Sequence, residues 1–264
     1  MVKAEINGAQ HVVTDDLPDT AVELLRERMG LTGTKLVCGA GVCGACTVQL
    51  DGEPVVSCLL PAAALDGRSV TTVEGIGEDH PVSRAFVAHA ALQCGFCTPG
   101  FVVEAAAFHD EWRARQGTTR PDRAEIAAAL AGHLCRCGAY PEIYAAVRAA
   151  CAGDFDAPDP ITGPRVEAAE KVTGAARYTV DVRLPGQLYG VILRSPYPSA
   201  RVTDLDLTPA LAMDGVRAAV ELMPSDRVVR YVGQEVAAVA AVDRRTAEHA
   251  LAAIRVGYLP LPAV

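Results

Sequence analysis

Cys38-Gly-Ala-Gly-Val-Cys43-Gly-Ala-Cys46, followed one hairpin later by Cys58, decides the reading of this 264-residue chain. Three thiols crowd into nine residues, spaced mainly by glycine and alanine, and a fourth arrives after a strand. Such a loop has too little apolar bulk to be a core. It describes a cage of thiolates for a small inorganic cation. Gly39, Gly41 and Gly44 let the backbone approach closely, so that N–H groups can point inward and offset the negative charge of the ligands.

The spacing C-x4-C-x2-C with a distant fourth cysteine is the plant-type 2Fe-2S pattern. A cysteine-rich zinc loop is the competing reading, but zinc usually uses paired C-x2-C knuckles. The flanks fit a small sheet. Val2, Ala4 and Ile6 alternate, Asn7-Gly8 is a hairpin turn, and Val12 and Val13 lie on the return strand. Pro18 is placed to open a helix with Val22, Leu25 and Met29 on one face and Gly30 at its end. Thr47–Leu50 and Pro54–Ser57 read as strands around the Asp51-Gly52 turn. Residues 1–76 are therefore expected to form a β-grasp domain of ferredoxin type.

Residues 77–153 read as four helices. Pro81 opens the first, with Val82, Ala85, Phe86 and His89 on one side. Thr98-Pro99 reads as an N-cap followed by proline at the first helical position, ahead of Phe101, Val102, Ala105 and Phe108. Asp122 and Glu125 have capping-box spacing before Ile126, Leu130 and Leu134, and Pro141 opens the last helix. The breaks between helices hold Gln93-Cys94-Gly-Phe-Cys97 and Cys135-Arg-Cys137. Two cysteine pairs at helix ends can converge on one centre. By spacing alone, zinc stays open for this second group.

Asp154 to Arg165 is acidic and proline-rich, and is expected to be a linker. Beyond it, in 166–264, Gln187–Arg194 and Gly233–Val242 read as strands, the second apolar enough to be buried, and Arg244–Ile254 as a helix with Ala247, Leu251 and Ile254 inward. The fold class expected is a multidomain α+β chain: a β-grasp domain, a four-helix bundle and an α/β domain.

Composition narrows the function. The net charge is -8, with 12 basic and 18 acidic residues up to position 153 and 12 and 14 beyond it. No basic stripe invites nucleic acid or anionic lipid. No apolar run reaches membrane-spanning length, and the N-terminus has no signal-peptide pattern, so a cytoplasmic location is expected. Nine cysteines in a reducing compartment read as metal ligands rather than disulfides, eight in two groups of four, with Cys151 left to pack as a small apolar side chain. The glycine-rich loop lacks the Lys-Ser/Thr ending of a phosphate cradle, and Ser57, Ser83 and Ser195 lack a nucleophile elbow. Arg136 reads as an exposed arginine in a tight turn, and His89 and His133 as helix-face residues.

Taken together, CGAGVCGACTV (38–48), QCGFCTPG (93–100) and CRCGAYP (135–141) closely resemble the two-cluster iron-sulfur part of the molybdenum hydroxylases, the xanthine oxidase and aldehyde oxidoreductase family. The segments 176–202 and 233–264 resemble, more loosely, the α/β hammerhead domain that opens the family's molybdenum subunit. The resemblance implies two 2Fe-2S clusters. Cys38, Cys43, Cys46 and Cys58 would hold the distal one; Cys94, Cys97, Cys135 and Cys137 would hold the one nearest the molybdenum cofactor. Gln93 and Cys137 would touch its pterin. One departure is Ala40, where many relatives carry a polar or acidic residue.

The resemblance also implies an electron-transfer subunit without a substrate-oxidising site or catalytic residue of its own. Its expected partners are a molybdopterin-binding large subunit lacking a hammerhead domain and, as acceptor, an FAD subunit or another carrier. A stand-alone two-cluster carrier with a docking domain, and a fragment of a single-chain aldehyde oxidoreductase, are the alternatives.

Overall fold

The computed structural model describes residues 1–14, 17–157 and 163–263. They form two compact units, Met1–Asp181 and Val182–Val264.

The first unit begins with the expected hairpin, β1 (Val2–Ile6) and β2 (Ala9–Val13), paired in register from Val2↔Val13 to Ile6↔Ala9. Asn7 and Gly8 both take positive φ, 51° and 78°, as a two-residue turn that matches strand twist requires. The helix does not start at Pro18. It is α1 (Ala21–Glu23), capped at Thr20, whose backbone N–H donates to Glu23 Oε2 (3.2 Å), and it runs on as a π-turn over Leu24–Arg28. That wider winding turns Leu24 and Leu25 both fully inward, whereas Met29 is only half-buried against the sheet.

After the cysteine loop come β3 (Thr47–Leu50), β4 (Glu53–Val56) and β5 (Ser69–Thr71). The sheet order is β2-β1-β5-β3-β4, with β1 and β5 parallel and the other pairs antiparallel. Val2, Ala4, Ile6, Val48 and Val70 pack on Leu24, Leu25 and Leu65, giving the β-grasp core.

The helical half starts a few residues before position 77. In α2 (Val73–Ile76), Val73 is buried with the helices rather than the sheet. Then follow α3 (Pro81–Ala88), α4 (Thr98–Gln116), α5 (Arg123–Ala129) and α6 (Tyr140–Cys151). Cys97, not Thr98, is the N-cap of α4, one residue earlier than expected. The capping box of α5 forms as read: Glu125 N–H donates to Asp122 Oδ1 (2.8 Å), and Asp122 N–H to Glu125 Oε2 (2.7 Å). Leu134 falls beyond that helix and is exposed. His133 also leaves the helix, and lies buried in the turn after it.

Of the expected linker, residues 158–162 lie outside the described residues. Its first part is tied down: Asp154 pairs with Arg120 and Asp156 with Arg113, each at 2.9 Å, and Phe155 packs on the helical core. Residues 166–181, expected to open the third domain, belong to the first unit. There α7 (Ala168–Val172) adds Ala168 and Val172, both fully buried, to the core of the bundle.

The second unit holds two three-stranded antiparallel sheets. One is β6 (Tyr189–Arg194), β10 (Glu235–Ala241) and β8 (Val216–Glu221), in the order β6-β10-β8. The other is β11 (Arg255–Pro260), β7 (Ala200–Asp206) and β9 (Val228–Val229), in the order β11-β7-β9. The central place of β10 explains its apolar run: Val236, Ala237, Val239 and Ala241 are all buried. A short α8 (Thr208–Leu211) and α9 (Arg244–Ala253) complete the unit. Helix α9 is capped by Asp243, which accepts from Thr246 N–H (2.8 Å), and buries Ala247 and Ala250.

Candidate metal centres

The first cage is built by one loop and one strand end. Gly39, Gly41 and Gly44 all take positive φ (62°, 71° and 69°), a conformation any larger residue adopts only under strain. Those turns aim amides at sulfur: Ala40 N–H and Val42 N–H both donate to Cys38 Sγ at 3.4 Å. The Ala40 amide first of all draws the Cys38 thiol down to about 6, favouring the thiolate that a metal needs. Cys43, Cys46 and Cys58 are buried, and burial pushes Cys46 up to about 12 as a free thiol. Ser57, beside Cys58, donates its Oγ–H to Cys46 C=O (2.6 Å) and so clamps the loop to the strand.

In the second cage the cysteines stand at the start of α4 and just before α6. Burial raises the Cys97 thiol, whereas the Cys94 backbone amide lowers that of Cys137. Ala139 N–H reaches Cys135 Sγ at 3.5 Å. Gln93 lies on the open edge with Cys94 and Cys137, all exposed, and its Nε2–H donates to Cys137 C=O (3.1 Å). In the second group Cys97 thus lies near Cys94 and Cys135, with Gln93 and Cys137 on one rim, and in the first Cys38 lies beside Cys43 and Cys46 beside Cys58.

Neighbouring thiols include Cys38 with Cys43, Cys46 with Cys58, Cys94 with Cys137, and Cys97 with both Cys135 and Cys94. A single tetrahedral zinc with sulfur at about 2.3 Å would gather four donors within about 4 Å of one another. Among the described residues, the one triad of His, Cys, Asp or Glu donor atoms lying within 4.8 Å is instead His80, His109 and Asp110. Thiols spread more widely than one tetrahedron suit a centre with two irons, each taking two thiolates. The His80 triad is joined by its own hydrogen bonds, although His109 Nε2 is buried without a partner. Asp110 bonds to His109 Nδ1 (2.8 Å) and His80 Nε2 (3.4 Å), and His80 Nδ1 accepts from Val82 N–H, capping α3.

The two cages touch through backbone. Leu134 N–H, next to Cys135, donates to Cys43 C=O at 3.1 Å. Gly100 of α4 lies so close to the first loop that a Cβ there would stand 2.3 Å from Gly44 O. Buried His133 closes the junction. Thr47 donates its hydroxyl proton to Gly44 C=O (2.8 Å), so its oxygen accepts from His133 Nε2–H (3.0 Å). Burial lowers the imidazole to about 4 and keeps it neutral. Sequence reading missed this residue, since Thr47 is 86 positions away.

Two small domains, each carrying four of the cysteines, have the character of a two-centre iron-sulfur protein. Comparison with known proteins agrees part by part: the 2Fe-2S iron-sulfur cluster binding domain matches residues 4–71, the [2Fe-2S] binding domain 72–148, and the a/b hammerhead domain of aldehyde oxidase and xanthine dehydrogenase 173–225. The nicotine 6-hydroxylase small subunit of Paenarthrobacter nicotinovorans is 43% identical over 148 residues, covering 55% of this chain and 86% of its own. The chain belongs to the molybdenum hydroxylase family and carries its iron-sulfur part. The aldehyde oxidoreductase of Megalodesulfovibrio gigas is 33% identical over 239 residues, 81% of this chain but 26% of that protein. The solved aldehyde oxidoreductase from Desulfovibrio gigas superposes with a TM-score of 0.85 at 28% identity, over all of this chain and 34% of the other. The chain therefore spans most of a small subunit but only about a third or less of the single-chain enzymes.

Proposed function

We propose that this chain is the electron-transfer part of a molybdenum hydroxylase complex. Cys94, Cys97, Cys135 and Cys137 hold the inner 2Fe-2S cluster, with Gln93 and Cys137 at the pterin of the molybdenum cofactor. Cys38, Cys43, Cys46 and Cys58 hold the outer cluster, with Gly39, Gly41 and Gly44 turning amides onto it. Each cluster supplies a centre that takes up and releases one electron. The chain's own work is to hold the two at a fixed spacing and to exclude water between them. The observation that carries this reading is the junction of the cages, where the backbone of one ligand, Cys43, is hydrogen-bonded to the residue preceding another, Cys135. Tunnelling favours such short, covalently and hydrogen-bonded routes.

The inner rim faces a partner that binds the molybdopterin, a large subunit that lacks its own hammerhead domain. The outer rim has the character of a hand-off surface: Cys38 is exposed, and so are Val37, Val42 and Leu59 around it. FAD in a further subunit, or another carrier, takes the electrons there. The long match to a single-chain aldehyde oxidoreductase supports a second arrangement, in which the molybdenum part follows in the same polypeptide.

The purified native complex is expected to contain about four irons per copy of this chain, two distinct reduced 2Fe-2S EPR signals, and molybdenum. Four irons with no molybdenum in any co-purifying assembly would remove the hydroxylase assignment. Denaturing gel analysis of the same sample separates the split from the single-chain arrangement.

A further inference from the structure

Among the described residues, Lys35 is the largest fully buried side chain. Its Nζ–H donates to Asp181 Oδ2 (3.0 Å) and to Thr32 C=O (2.6 Å). Asp181 also binds Arg26 Nη2 (2.5 Å) and accepts from Tyr178 N–H (3.0 Å); the side chains of Lys35 and Asp181 are both 1% exposed. Burial lowers the pKa of Lys35, and the Asp181 carboxylate opposes that by stabilising the charged form. Nζ lies 4.8 Å from the ring centre of Tyr178 and 5.6 Å from that of Phe96, the residue between Cys94 and Cys97.

The same stretch of chain grips the inner loop directly. Tyr178 Oη–H donates to Cys94 C=O (2.8 Å), and its ring meets Phe96 edge-on at 4.9 Å. Lys171 Nζ–H donates to Gln93 C=O (3.1 Å). Between them, Gly95 has φ +82°, and a Cβ there would stand 2.6 Å from Lys171 Cδ and 2.8 Å from Tyr178 Oη. Each residue from Gln93 to Phe96 thus meets the segment 171–181.

We propose that residues 171–181, anchored by the buried Lys35–Asp181–Arg26 group, are a brace that positions the Gln93–Cys97 loop. The chain after the helical domain is then the third wall of the inner cage rather than a tether to the next domain. Lys35 and Tyr178 are positioning residues in this scheme. Lys35 holds Asp181 in place, and Asp181 in turn fixes the Tyr178 backbone beside the Gln93–Cys97 loop. The inference rests on the assignment of Cys94, Cys97, Cys135 and Cys137 as the inner ligands.

The test uses the full chain, as purified with its clusters, and the variants Tyr178→Phe and Lys35→Met. Hydrogen exchange is read by mass spectrometry over 93–97 and over 38–46. Tyr178→Phe should speed exchange in 93–97 by about fivefold, the loss of one ordinary hydrogen bond, and leave 38–46 unchanged. Lys35→Met should also speed exchange in 93–97, because Asp181 loses one of the two cationic side chains that anchor it. Exchange in 93–97 that stays at the wild-type rate in Tyr178→Phe overturns the brace, whatever the metal content. If the wild type shows only one cluster signal, the ligand assignment fails, and the brace is judged by exchange alone. Should Lys35→Met fail to accumulate, Tyr178→Phe still decides the matter.

Discussion

Replacing Gly100 by alanine sets two effects of known size against each other. Gly100 lies within α4, so alanine should strengthen the helix by about 1 kcal/mol. The new Cβ, however, would stand 2.3 Å from Gly44 O, 3.0 Å from Ala45 Cα and 3.1 Å from Gly44 C, where ordinary contact begins near 3.4 Å. All three neighbours are backbone of the cysteine loop, so no flexible side chain can swing aside to make room. The loop must therefore move outward by about 1 Å, at an overpacking cost of about 1–3 kcal/mol. That shift also stretches the Leu134–Cys43 and Thr47–His133 hydrogen bonds, each contributing about 1 kcal/mol. The cost exceeds the helix gain, leaving a net loss of about 1–3 kcal/mol. For a chain of this size the apparent melting midpoint should fall by about 2–10 °C. The assay is thermal unfolding at a fixed scan rate with iron content matched, together with the magnetic coupling of the two reduced centres, which should weaken as they separate. A midpoint that stays level or rises, with coupling unchanged, would refute the idea that the cages meet at this point under close contact.

Glu104, whose only strong influence is burial, has its carboxyl raised to about 7. A raised carboxyl favours the folded state fully below the unfolded value near 4.5, and that stabilisation is lost as pH rises through 7. Wild type should therefore lose up to about 3 kcal/mol between pH 4.5 and 8 that Glu104→Gln does not, an upper bound because the side chain keeps some solvent. Denaturant titrations across that range check it, and parallel curves for the two proteins would sink it. Gln93→Ala removes the hydrogen bond to Cys137 C=O on the exposed rim without touching a ligand. It should keep both clusters and slow reduction of the iron-sulfur centres by substrate in the complex; rapid kinetics at equal iron content measures this, and an unchanged rate would count against the placement of Gln93.

What could be read from the chain alone was whatever is decided within a few residues. The Asn7-Gly8 turn and the Asp122–Glu125 capping box are of that kind, and each stands where it was expected. The π-turn at Leu24–Arg28 has no local signature, because it arises from packing two adjacent leucines inward beneath the sheet. Lys35 would be placed on the surface by any composition rule, and its burial depends on Asp181, 146 positions later. His133 was misread for the same reason: the helix it seemed to continue ends at Ala129, and its partner is in the other domain.

The two cages differ in how their walls are supplied, and that difference bears on how each should fail. The outer cage is closed by a single stretch, Cys38 to Cys58, whose amides, glycines and Ser57 clamp all lie within 21 residues. The inner cage is assembled from the Gln93–Cys97 loop, the Cys135–Cys137 turn and the 171–181 segment, which are far apart in sequence and share one buried ion group with the first domain. Closing such a loop costs more chain entropy, and the contacts that compensate form only once the whole first unit has folded. On the proposed assignment the inner centre therefore depends on the integrity of the entire Met1–Asp181 unit, while the outer one depends mostly on its own loop. Damage along the proposed brace should impair the inner centre before the outer one.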